Sequence, residues 1–184
     1  MKNIKILNTI IIFTFFLAAC GGGKMTYQKS YDKIMEKPDN QQDALFLLNA
    51  YNAAITLQEL ATIAPQQAYN NNLVQFTKNN YEMHEKIVDQ LEDVADDMDV
   101  KLPEQPSPLY QSHLTILRNT DQEDFDDEFV DFISQVYENV YKDYKNAAVN
   151  ANNEEVRVLA ARFVSFQREN KNEINSLISE MEDN

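Results

Sequence analysis

Apolar residues follow two patterns along this chain: an almost unbroken block near its start, then a long series spaced by three and four. The block is Ile10 to Leu17. The series has the spacing of helix faces packed on a core. Leu47, Tyr51, Ala54, Leu57 and Ala61 predict a first long helix, opening near Asn40 and Asp43 and interrupted at Pro65. Leu73, Phe76, Ile87, Leu91, Val94 and Met98 line a second, from about Gln67 to Met98. Prolines 103, 106 and 108 make 101–108 a loop, and Leu114 and Leu117 mark a short helix from Leu109 to Asn119. Thr120 and Glu123 form a capping box ahead of Phe125, Phe129, Phe132, Val136, Val140 and Tyr144. Asn152 and Glu155 repeat that box before Val156, Leu159, Phe163, Phe166, Ile174 and Leu177. The expected fold for residues 41–184 is all-α: an up-and-down four-helix bundle with an extra short helix between the second and third long ones.

The first apolar block has a different meaning. Lys2 and Lys5 precede it, and Leu17-Ala18-Ala19-Cys20 closes it. A basic start, a short apolar run and small residues before a cut are the layout of a secretory signal peptide. The run falls short of the about 20 residues that a membrane-spanning helix needs. With cysteine at the cut, the stretch resembles the lipobox of bacterial lipoproteins, in which the thiol carries a diacylglycerol and the new terminus is acylated. Residues 1–19 are thus expected to be the leader and Cys20 the lipidation site. Several acyl chains on that residue would hold the protein firmly, where one alone would not. Residues 20–40, beginning Gly21-Gly22-Gly23, read as a flexible lipidated tether of at most ~70 Å. The expected place is the bacterial envelope, facing the periplasm. Gly21 directly after the cysteine favours the outer membrane over the inner, by analogy with lipoprotein sorting.

Charge and glycine usage narrow the function classes. The chain carries 30 acids against 16 lysines and arginines, a net charge of -14. Losing the leader removes two lysines and no acid. Such a surface repels nucleic acid and anionic headgroups, so no nucleic-acid partner is expected and the membrane partner is reached through lipid on Cys20. Gly21, Gly22 and Gly23 are all the glycine there is. Phosphate-cradling loops and dinucleotide fingerprints need glycine for tight turns and are excluded. Cys20 is the only cysteine, so its acylation rules out a disulfide.

Chemistry-bearing motifs are few. A ferritin-like di-metal centre needs two Glu-x-x-His units. The frames here are Tyr81-Glu82-Met83-His84 and Tyr110-Gln111-Ser112-His113, each with a tyrosine at the glutamate position. A phenol, with an ordinary pKa of about 10, is a poor ligand for a divalent metal at neutral pH. No metal and no cofactor is therefore assigned. Seven acids between Asp121 and Asp131 lack the glycine and final glutamate of a calcium loop and suit the first turns of a helix. Tyr137, Tyr141 and Tyr144 read as one amphipathic face with hydroxyls at its rim. Nucleophilic catalysis has no thiol or serine–histidine motif to use.

A larger pattern joins these segments: Gln58-Glu59-Leu60-Ala61, Phe76 through Met83-His84, Leu91, Val94-Ala95, Leu102-Pro103 and Phe125-Asp126. From about Asp43 to Leu177 the chain resembles an uncharacterised family of bacterial envelope domains of unknown function, often labelled "predicted outer membrane protein" and ferritin-like in fold. His84 matches a histidine of that family. Ala54 stands where the family has a glutamate, Tyr137 where it has a histidine, and Glu169 aligns with a third histidine. The resemblance makes His84, Tyr137 and Glu169 a candidate polar site in the core. His84 shares the inward face of Ile87 and Leu91, and either partner would satisfy it as a packed core histidine. The expected protein is a non-enzymatic interaction or stress-related accessory that binds another envelope protein or a cationic ligand. A metal-binding or redox protein using those core groups is the competing class. A carrier of lipid in the bundle interior is a third, opposed by the bulk of Phe125, Phe129, Phe163 and Phe166.

Overall fold

Six helices form among the described residues, which are 25–37 and 39–182 of the computed structural model. They are α1 (Tyr27–Glu36), α2 (Gln41–Gln67), α3 (Asn71–Asp97), α4 (Pro108–Asn119), α5 (Gln122–Asn150) and α6 (Glu154–Glu182). The expected leader, Cys20 and the glycine run lie outside the described residues, and no strand forms within those described. The four long helices pack α2 on α3, α3 on α6, α6 on α5 and α5 on α2. Their shared interior is aromatic and aliphatic: Phe76, Phe125, Phe129, Leu91 and Ile87 are at most 2% exposed. Burying each such side chain contributes about 1.5–3 kcal/mol. α1 lies on α2, while α4 touches both α2 and α5.

α1 corrects the expectation of a tether through residue 40. Ten residues with only Tyr27, Tyr31, Ile34 and Met35 as apolar positions give too short a pattern to stand out, and an isolated helix of that length is marginal in water. Packing makes it: Ser30 and Ile34, one turn apart, are buried against the bundle. The Thr26 side chain accepts from the Lys29 N–H at 3.3 Å, and Tyr27 donates to Asn49 Oδ1 at 3.0 Å. At the far end Lys37 pairs with Asp99 at 2.9 Å.

α2 is the central helix, surrounded by α1, α3, α4 and α5 and buried on several faces. Ala44, Ala50, Ala53, Ala54 and Ala64 give its neighbours room to approach. It also runs through Pro65 to Gln67, where the sequence predicts a break. Proline in the final turn removes only one hydrogen bond, and the Ala68 N–H still closes on the Ala64 carbonyl at 2.9 Å. With no glycine in the folded part, left-handed backbone falls to Asn40 (φ 60°) before α2 and Asp99 (φ 51°) after α3. At the latter turn the Val100 N–H donates to the Ala95 carbonyl at 2.7 Å, which satisfies an orphan acceptor of α3.

Neither predicted capping box forms, and each helix begins one residue later than expected. Thr120 instead ends α4, its hydroxyl donating to the Ile116 carbonyl at 2.9 Å, and Asp121 precedes α5 without a side-chain cap. Asn153, not Asn152, caps α6: its Oδ1 accepts from Glu155 at 2.7 Å and Val156 at 3.2 Å. At α6 the reason is Asp43. This fully buried carboxylate of α2 accepts the backbone N–H of Asn152 at 3.1 Å and of Asn153 at 2.6 Å. It fixes where the α5–α6 turn ends. One acid of the 121–131 cluster does similar work, since Asp126 Oδ2 accepts the Asn70 N–H at 2.8 Å where α3 begins. A buried Asn52 Oδ1 accepts the Ser107 N–H at 2.6 Å and holds the proline loop to α2.

Candidate functional site

α3 brings His84 inward one turn before Ile87, and α5 brings Tyr137 to meet it. Their side chains are 2% and 1% exposed, with His84 Nε2 3.0 Å from the Tyr137 hydroxyl. Rings close the surroundings: Phe76 lies edge-on to Tyr137 at 5.7 Å, and Phe166 of α6 edge-on to His84 at 5.5 Å. Burial holds the imidazole neutral, lowering its pKa to about 3. Burial, with a smaller contribution from the charge of Glu173, pushes the phenol well above its ordinary value. Moving a proton from phenol to imidazole would create two ions that this apolar setting opposes from both sides. The pair is a neutral hydrogen bond.

That bond leaves a loose end. His84 Nδ1 has no partner among the described residues. If the phenol donates to Nε2, the Nδ1 proton is the orphan; if Nε2–H donates, the phenolic proton is. Either tautomer strands one buried donor.

The structure brings together two of the three expected core residues. Glu169 is exposed on α6. The inward positions of that helix are Phe163, Gln167, Asn170, Ile174 and Leu177, spaced four, three, four and three, so Glu169 falls on the outer face. Gln167 and Asn170 are the core polar residues that the sequence reading missed. Asn170 donates to the Phe166 carbonyl at 2.9 Å, and Gln167 Oε1 has no partner among the described residues. Their signal was positional, since each sits four residues after a phenylalanine of the apolar stripe. The tyrosine face also differs from expectation. Tyr137 and Tyr144 are buried to the hydroxyl, and only Tyr141 is half-exposed, with the Lys171 amine 5.3 Å from its ring centre. His113 is half-buried and stacks on Phe132 at 4.6 Å.

Among the described residues no cluster of three or more histidine, cysteine or acidic side chains is placed to hold a metal ion. No helix among them is long and apolar enough to cross a membrane. Cys20, where lipidation is expected, lies outside them.

An all-helical domain with a buried histidine–tyrosine pair is thus the class that fold and site define. The chain belongs to the family described as a domain of unknown function (DUF4142), whose model matches residues 31–178. No curated protein and no solved structure matches it.

Proposed function

We propose that this chain is a lipid-anchored bacterial envelope protein, held through Cys20 with its helical domain facing the periplasm, that works by binding rather than by catalysis. The domain is a four-helix bundle of ferritin-like topology formed by α2, α3, α5 and α6. The outer membrane is its preferred site, from Gly21 after the anchor. One observation carries the non-catalytic reading: the His84 imidazole is bonded to Tyr137, enclosed by Phe76 and Phe166, and held neutral by burial. An acid–base group must reach a substrate proton, and this one is spent on packing. Its partner would be another envelope protein or a cationic ligand, matched to a surface with 30 acids in the chain.

Two measurements test this. Intact-mass spectrometry of the mature protein is expected to show acyl chains on a terminal Cys20, and an unmodified terminus would refute the anchor. Pull-down from crosslinked envelopes is expected to recover a reproducible partner; none would count against the binding role.

The unpartnered His84 Nδ1 favours one competing reading, a single metal or redox group in the core. Stoichiometric iron, manganese or zinc in protein purified without chelators, lost in His84→Ala, would establish that reading instead.

A further inference from the structure

Four helices converge on a carboxylate that the core site does not use. Asp143 of α5 lines a cleft of about 340 Å³ together with Tyr27 of α1, Asn49 of α2, Tyr110 of α4 and Asn139 of α5. An adjoining cleft of about 300 Å³ shares Asn49 and Asp143 and continues toward Gln41 and Gln42. Asp143 is half-buried, yet it makes no hydrogen bond or ion pair with any described residue. Lys142 also lines the cleft, but its amine is engaged by Glu138 at 3.0 Å. Burial raises the Asp143 pKa. Its charge in turn raises both phenols, adding to burial at Tyr110 and, after burial and Tyr31, at Tyr27. The carboxylate and the two phenols therefore act on one another.

We propose that this cleft binds a protonated amine carried on a small, polar, hydrogen-bonding frame. An ammonium would give Asp143 the charged partner that the fold withholds. The rings of Tyr27 and Tyr110 add faces that attract cations. Asn49, whose Oδ1 already accepts from Tyr27, and Asn139, which already bonds Tyr110, keep further amide donors and lone pairs for hydroxyls on the frame. The cleft volume falls in the range of small-molecule sites, about 300–1,000 Å³. A divalent cation such as calcium takes six to eight oxygen ligands and finds one carboxylate here. This site deepens the binding role proposed above by naming the chemistry of the cationic ligand.

The experiment uses the full chain in detergent micelles at about 0.15 M salt, where charges beyond roughly 8 Å are screened. Glucosamine and N-acetylglucosamine are titrated separately and followed by NMR shifts of the Asn49 and Asn139 side-chain amides. They share a frame and differ in whether the amine is free. Glucosamine is expected to bind saturably with a Kd of roughly a millimolar or tighter. The acetylated sugar is expected to bind on the order of tenfold more weakly, and Asp143→Asn to cost glucosamine a similar factor. Asn139→Ala should weaken both sugars. Because Asp143 has no partner to lose among the described residues, Asp143→Asn should melt at the wild-type temperature or above. Equal affinity for the two sugars, absence of saturable glucosamine binding, glucosamine binding indifferent to Asp143→Asn, or a lower melting temperature in that variant would each overturn the site. Those failures would leave an acylated Cys20 and a recovered protein partner standing. An unmodified Cys20 would leave the cleft standing.

Discussion

Replacing Asp43 by asparagine keeps the size of the side chain and removes one of the two acceptors that hold the α5–α6 turn. Asp43 is fully buried, and its oxygens take the Asn152 and Asn153 N–H groups at 3.1 and 2.6 Å, more than a hundred residues away in sequence. A hydrogen bond to a charged acceptor contributes about 1.5–3 kcal/mol. In Asp43→Asn the amide NH₂ faces a backbone donor, so one bond is lost and the other keeps only a neutral acceptor. Asn152 is exposed, so water can reach part of the deficit. The net loss expected is about 2–3 kcal/mol, equivalent to a fall in Tm of roughly 5–10 °C for a domain of this size. Urea unfolding should show a lower midpoint at unchanged slope. Hydrogen exchange should show lost protection at Asn152 and Asn153. Asp39→Asn, at an exposed position before the same helix, is the control and should change stability by less than about 0.5 kcal/mol. If Asp43→Asn unfolds like that control, the carboxylate does not set this turn.

Two further outcomes follow from buried polar groups. His84 stays neutral in the folded protein down to about pH 3, whereas unfolding frees it to protonate below its ordinary value near 6.5. Its contribution is therefore fully present above that value and is lost as pH falls toward 3. Relative to His84→Gln, wild type should lose about 2 kcal/mol between pH 7 and 5, and parallel stability–pH curves would refute the assignment. Tyr144 carries a buried hydroxyl with no partner among the described residues, beside Phe46 at 5.1 Å. Tyr144→Phe removes a desolvated group and nothing it bonds to, so it should be neutral or stabilising by up to about 1 kcal/mol. A loss above that size in a thermal melt would reveal a partner for the hydroxyl.

How much of this was legible before the fold was known depends on the range of the force involved. The helical stripes were readable, because a side chain's face follows from residue spacing alone: Phe125, Phe129, Phe132, Val136, Val140 and Tyr144 are all buried as their pattern predicts. The short helix around Leu114 and Leu117 is equally local and occurs, as does the loop across Pro103 and Pro106, while Pro108 opens the helix rather than ending the loop. His84 could be placed inward for the same reason. Its partner Tyr137 entered through a family resemblance, and the exposed Glu169 shows what such a match omits: side chains one position apart on a helix point about 100° from each other.

By itself the sequence determined that the chain is helical, acidic and without glycine turns in its folded part, since composition and periodicity act within a few residues. Only the tertiary structure decided that residues 27–36 are helical, that Asn153 rather than Asn152 caps α6, and that Gln167 and Asn170 belong inside. It alone left Asp143 without a partner among the described residues where α1, α2, α4 and α5 meet. Burial and hydrogen bonding across 50 to 110 residues are set by which helices pack, and that is a property of the assembled chain, invisible in any single segment.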